Sequence, residues 1–249
     1  MYISSTSNEK LKFLNSLKKK SVRDESGLLL LEGERLIYDS EKWGAEIVSV
    51  FYKEEYEGRK VSCDDSYTLS QKAFDKISET VNSQGIIAVA KKKKGSIKGK
   101  KLLVLADGVR DPGNMGTIIR LCHATGAGLI LGKECTDPYS PKCVRSSMGG
   151  IFATECEVFS DELYEYLKDN GYKFYGGILG DDTKSLFETD FCEKCVLVVG
   201  NEGDGISPKM QNLCDNKILI PMPGGAESLN VATAASVMVY EYLRQRGWK

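Results

Sequence analysis

One histidine, His123, is present among 249 residues, and of eight cysteines only Cys192 and Cys195 form a C-x-x-C pair. A structural zinc site draws four ligands from such residues, so with no second C-x-x-C and no further histidine a metal is not expected. No apolar run approaches the roughly 18 to 20 residues that would cross a bilayer, and residues 1–20 lack the continuous apolar segment of a secretory leader. The cytoplasm, with reduced thiols and no membrane partner, is the expected setting. There is no Walker lysine motif and no dinucleotide-type G-x-G-x-x-G, so the usual signatures of nucleotide hydrolysis and nicotinamide chemistry are missing.

What the chain does have is an uneven charge. The net value is −1, yet residues 1–101 hold 20 Lys and Arg against 15 Asp and Glu, and seven of those lysines fall between Lys91 and Lys101. A second cluster, Lys10, Lys12, Lys18, Lys19, Lys20 and Arg23, lies on and just past a predicted first helix. Such clusters can hold a phosphate backbone, although a solvated face or linker is the commoner meaning of a charge run.

Lys91–Lys101 combines charge and glycine without apolar periodicity and reads as an exposed basic linker between a domain at 1–90 and one at 102–249. In the first domain, periodicity predicts helices near 7–19, 34–42 and 71–77 and strands at 28–31, 47–51 and 86–90: a small α/β unit. In the second, the buried-type runs 102–106, 129–131, 173–178, 196–199 and 218–220 alternate with helical stretches, which predicts an α/β fold with a mostly parallel sheet. Asp111 is the expected N-cap and Pro112 the first residue of a helix whose Met115, Ile118, Ile119 and Cys122 form one apolar stripe. Ser140-Pro141 and Ser207-Pro208 repeat that start signal, and Ser228 is the expected cap of a last helix running to about Arg244.

Three polar motifs follow strand-like runs in this second half. They are Asp111-Pro-Gly-Asn114 through Arg120, Gly200-Asn-Glu-Gly-Asp-Gly205, and Ile220-Pro-Met222 through Ser228-Leu-Asn230. Ligands of open α/β sheets bind at the carboxyl ends of strands, so three motifs so placed are expected to converge on one enzyme site. Each alone has a plainer meaning: glycines 200, 203 and 205 make a strand-to-helix turn, and Ser228 and Asn230 fill a helix start.

Taken together and in order, Asp107-Gly-Val-Arg-Asp-Pro-Gly-Asn-Met-Gly-Thr-Ile-Ile-Arg120, the glycine motif and the Pro221-to-Val231 motif resemble the SpoU/TrmH family of RNA ribose 2′-O-methyltransferases in the SPOUT superfamily. Lys142-Cys-Val-Arg-Ser-Ser-Met-Gly-Gly150 resembles the family's middle segment. The resemblance covers about 101–247, and the N-terminal part looks like the family's RNA-binding substrate domain. It implies a C-terminal domain with a trefoil knot, which general topology rules would have rejected. It also implies S-adenosylmethionine as cofactor and a homodimer. Ribosomal RNA is the implied substrate, with transfer RNA second; a catalytically idle RNA-binding or ribosome-assembly factor is the reading from another class.

Carried over by position, the resemblance places Asn114, Arg120, Glu202, Ser228 and Asn230 at the reacting ribose. Cofactor contacts fall at Gly200, Asn201, Gly203, Ile220, Met222, Ser228 and Leu229. Lys18, Lys19, Lys20, Arg23 and Arg145 are candidates for RNA phosphate, with a structural salt bridge an equal alternative for Arg145. Arg120 is expected to bind phosphate and developing alkoxide rather than take a proton, because guanidinium stays protonated in proteins. His123, three residues on, is the rival base. Ala232 stands where the family usually has serine, which puts one hydrogen bond at the helix start in question.

Overall fold

The computed structural model describes residues 1–93, 95–180, 182–201 and 203–247, which form two compact units: 1–93 with 137–153, and 95–136 with 154–247. The first begins with β1 (Tyr2–Ile3), α1 (Glu9–Ser16), α2 (Lys20–Ser26), β2 (Leu28–Glu32), α3 (Glu34–Lys42), β3 (Ile47–Lys53), β4 (Ser66–Leu69), α4 (Gln71–Asp75) and β5 (Ile86–Lys91). Its five-stranded sheet has the order β1-β4-β3-β5-β2, parallel from β1 to β3 and antiparallel through β5 to β2. Alternation decides what each face buries: Leu30, Phe51, Leu69, Ile87 and Val89 pack with Leu11 and Leu14 of α1 and Phe74 of α4. Periodicity missed β1, α2 and β4, all short.

The second unit opens with β6 (Leu102–Ala106), α5 (Pro112–Thr125) and β7 (Gly128–Leu131). Next comes α6 (Pro141–Ser146), which packs on β2, so residues 137–153 group spatially with the first unit. The second unit resumes with β8 (Cys156–Val158), α7 (Asp161–Asp169), β9 (Lys173–Gly177), β10 (Lys184–Ser185), β11 (Cys195–Val199), α8 (Pro208–Leu213), β12 (Asn216–Leu219) and α9 (Val231–Gln245). Its seven strands are all parallel, in the order β10-β12-β9-β11-β6-β7-β8. Helices cover both faces, so β6 (LLVLA) and β11 (CVLVV) are buried at every position. On one face Leu103, Leu105, Ile130, Phe174, Val196 and Val198 form the core with Leu167 of α7 and Met210 of α8. The predicted stripe of α5, Met115, Ile118, Ile119 and Cys122, is fully buried.

The basic segment is less exposed than its charge suggested. Lys91 ends β5 and pairs with Glu46 at 2.5 Å, Lys92 pairs with Asp24 at 2.7 Å, and Ile97 is fully buried in the second core. One apolar side chain thus anchors what composition presented as a free linker; Lys94 lies outside the described residues.

A second correction concerns Arg23, which is 2% exposed. Its Nη2 and Nε donate to Oδ2 of Asp137 at 2.5 and 3.1 Å, and its Nη1 donates to the carbonyls of Leu17 and Lys18 at 2.8 and 2.7 Å. The guanidinium is consumed inside the first unit and is not available to RNA. Arg145 donates to Glu79 at 3.2 Å, and Lys18 lies 3.8 Å from the same carboxylate. Lys20 pairs with Asp24 at 2.9 Å, and Lys19 is exposed.

Removing one partner of a buried ion pair strands the other. Arg23→Ala is therefore expected to cost about 3–5 kcal/mol of unfolding free energy in urea titrations. Lys20→Ala, which breaks an exposed pair, is expected to cost at most about 0.5 kcal/mol. Equal effects would refute the structural role given to Arg23.

Candidate active site

Parallel pairing sends the ends of β6, β9, β11 and β12 to one edge of the sheet. After β11 the chain folds back at once: an added Cβ on Gly200 would lie 2.1 Å from the carbonyl carbon of Gly205, so no larger residue fits. Asn201 and Gly205 exchange backbone hydrogen bonds of 3.0 and 2.9 Å. The Asn201 side chain finishes the loop, its Oδ1 accepting from the amides of Gly203 at 2.7 Å and Asp204 at 3.4 Å, and its Nδ2 donating to the Gly108 carbonyl at 3.2 Å. The second motif is thereby fastened to the first. Glu202 lies outside the described residues.

The third motif is fastened in a similar way. Asn230, not Ser228, caps α9: its Oδ1 accepts from the amides of Ala232 at 3.0 Å and Thr233 at 3.3 Å. That orients the amide, leaving Nδ2 to donate to Oδ1 of Asn114 at 2.9 Å. Asn114 is held in turn by its own amide, which donates to Asp111, the N-cap of α5, at 2.9 Å. The cap falls two residues later than expected because the helix starts at Val231, which places Asn230 next to the first free amides. Ser228 is exposed and makes no hydrogen bond to a described residue. At Ala232 the backbone amide donates to Asn230, so the helix start is capped without a serine hydroxyl there.

These loops enclose a cavity of about 410 Å³. Gly200, Asn201, Gly203, Ile220, Met222, Ser228 and Leu229 all line it. Sequence reading did not include Gly177–Leu179 at the end of β9, Gln211 on α8, Asp204 or Glu227. The Gly176-Gly177 pair closing a buried strand was the available signal for the first of these. The charged residues among the described lining are Asp204 and Glu227, both acidic.

Asn114 and Arg120 stand outside that lining. Arg120 is exposed on α5 and makes no ion pair or side-chain hydrogen bond with a described residue. Six residues beyond Asn114, it lies about 9 Å further along the helix and about 120° around it. His123 is half-buried, and burial lowers its pKa below the ordinary imidazole value, so it is neutral at pH 7. In the C-x-x-C segment, Cys192 accepts from the Tyr175 hydroxyl at 3.2 Å while burial raises the Cys195 thiol well above its usual pKa. Among the described residues no group of three or more His, Cys, Asp or Glu could hold a metal ion, and no helix is long and apolar enough to cross a membrane.

The cap assignment can be tested by stability. Asn230→Ala is expected to cost about 1 kcal/mol in thermal unfolding, whereas Asn230→Asp, which keeps the acceptor at a helix N-terminus but loses the donor to Asn114, is expected to cost less than the alanine variant. A neutral alanine variant would return the cap to Ser228.

The sequence profile of the SpoU rRNA Methylase family matches residues 101–240, and that of the MRM3-like substrate binding domain matches 8–88. The 23S rRNA (guanosine(2553)-2′-O)-methyltransferase RlmP of Bacillus subtilis is 33% identical over 247 residues, covering 96% of this chain and 97% of that protein. The tRNA (guanosine(18)-2′-O)-methyltransferase of Aquifex aeolicus is 34% identical over 152 residues, covering 59% of this chain and 71% of that one. The crystal structure of AdoMet-bound rRNA methyltransferase from Sinorhizobium meliloti superposes with a TM-score of 0.85 at 28% identity, covering 98% of this chain and 97% of that one. With its three motifs gathered at one sheet edge, the family profile matched over residues 101–240 and one relative matched over 96% of this chain, the chain belongs to the SpoU rRNA methylase family.

Proposed function

We propose that this protein transfers the methyl group of S-adenosylmethionine to a ribose 2′-oxygen of ribosomal RNA. The observation that carries the reading is the Asn230–Asn114 hydrogen bond, which ties the polar start of α5 to the rim of the glycine-loop cavity. The cavity suits the cofactor: its volume lies within the usual range for small-molecule sites, and its described charged residues are acidic, complementing a sulfonium and an ammonium group. Gly200, Gly203, Ile220 and Leu229 would enclose it. When bound, the cofactor supplies an activated methyl together with its own leaving group, so the protein's task is placement.

Ser228, Asn230 and Asn114 offer short polar side chains for a ribose beside that cavity. Arg120 supplies a fixed fork of donors for a phosphate and for negative charge developing on the 2′-oxygen; it cannot act as base, because it does not lose its proton. Arg120 lies off the lining of its own chain's cavity, and we assign the active species as a homodimer in which a second copy completes the surroundings of the site. The RNA-facing surface of the first unit includes the exposed Lys19 and Lys20. Ribosomal rather than transfer RNA is favoured because the rRNA-named relative covers 96% of this chain, against 59% for the tRNA-named relative. We place that action in the cytoplasm.

Calorimetric titration with S-adenosylmethionine tests the cofactor assignment; folded protein that binds none would support the idle RNA-binding factor. For chemistry, Arg120→Ala is expected to leave cofactor affinity nearly intact and to slow single-turnover methylation about 100-fold or more. Arg120→Lys should restore only part of the rate, having charge without the bidentate geometry. His123→Ala should matter little. Abolition of methylation by His123→Ala, with Arg120→Ala only a few-fold slower, would exchange the two roles.

A further inference from the structure

A second cavity, of about 390 Å³, opens at the same sheet edge on the other side of the 201–205 loop. It lies over the ends of β11, β6, β7 and β8, whereas the first lies over β12, β9 and β11; Asn201, Asp204 and Gly205 belong to both linings. The carboxyl-end crevice of this sheet is thus two compartments with one shared wall.

The second compartment differs in chemistry from the first. Phe159 and Met210 give it an apolar surface, along which three cations, Arg110, Lys133 and Lys209, stand with three carboxylates, Asp107, Glu134 and Asp204. Two are engaged in exposed ion pairs, Arg110 with Glu134 and Lys209 with Asp161 at 2.8 Å, of the kind that stabilises little and exchanges readily. Lys133 is exposed and makes no ion pair within 4.0 Å with a described residue, although its charge, after that of Lys209, helps to lower the pKa of Asp161. The Asp107 carboxylate is already committed, accepting the Ser207 amide at 2.7 Å where β6 ends.

We infer that this compartment receives a nucleotide of the RNA substrate, its base against Phe159 and its phosphate at Lys133. Single-stranded RNA is held by aromatic platforms beside cationic groups, and Phe159 with Lys133 supplies one of each here. A nucleotide here is separated from the methyl donor by a single backbone loop, so one side of the loop reads RNA while the other holds the cofactor. The inference rests on the ribosomal RNA reading above.

The test is filter binding of an unmethylated 23S rRNA transcript to full-length protein in the presence of S-adenosylhomocysteine, with calorimetry of S-adenosylhomocysteine alone as the companion measurement. Phe159 also packs against the core, so Phe159→Leu, which keeps apolar volume, is the chosen variant. It is expected to weaken RNA binding about 10-fold, the order of one lost base stack, while Phe159→Tyr stays within about twofold. Lys133→Ala should flatten the slope of log affinity against log salt by about one unit. Affinity for S-adenosylhomocysteine should remain within about twofold in all three. Wild-type RNA affinity and salt slope in both Phe159→Leu and Lys133→Ala would overturn the assignment, as would a parallel loss of S-adenosylhomocysteine binding, which would mean the shared loop had deformed. A wild-type protein that binds S-adenosylhomocysteine but no transcript would remove the ribosomal RNA reading itself, and this inference with it.

Discussion

Parallel pairing of β11 between β6 and β9 is the constraint on which the rest of the site depends. Both faces of these strands are buried, so their register is fixed by side chains that have no alternative face to turn to water. Once β6 and β11 lie side by side and point the same way, the first and second motifs must leave the sheet as neighbours, although about 80 residues separate them in sequence. The loops have only to be closed; their location is decided by the core.

Closing them falls to asparagine, for a reason of hydrogen-bond inventory. Asn201 needs an acceptor for the amides of Gly203 and Asp204 and a donor for the Gly108 carbonyl. Asn230 needs an acceptor for the first amides of α9 and a donor for Asn114. A carboxylate supplies only the acceptor, a lysine only the donor, and a longer glutamine would lose the tight local geometry. Each asparagine thus serves at once as local cap and as cross-link between motifs distant in sequence.

The strands that buried apolar runs create were legible from the chain, as were the starts of α5, α6 and α8, because Asp or Ser followed by Pro states a helix start in two residues. The residues of the glycine-loop cavity were legible through family resemblance more than through spacing. Three things were not. The cap of α9 was placed at Ser228 because serine and asparagine are equally good caps, and only the fold shows which one precedes the first helical residue. Arg23 looked like part of a phosphate-binding cluster because a charge run does not reveal that Asp137, 114 residues away, folds back to neutralise one of its members. The grouping of α6 with the first unit was invisible because packing between segments distant in sequence leaves no trace in local periodicity.

Several cations of the second unit are already paired, and Arg120 pairs with no described residue. Lys101, Lys168, Lys209 and Arg244 each lie beside a carboxylate, and any of them would have to give up that partner to hold a phosphate. Arg120 has none to give up among the described residues. In the free protein it is exposed, so water screens its charge and it contributes little to any field in the site. Its influence grows only when bound RNA excludes that water, because the same guanidinium at the same distance from a developing alkoxide acts more strongly as the surrounding dielectric falls. An arginine so placed makes the rate depend on how well the RNA seals the site, and specificity for the substrate then enters through the chemical step as well as through binding.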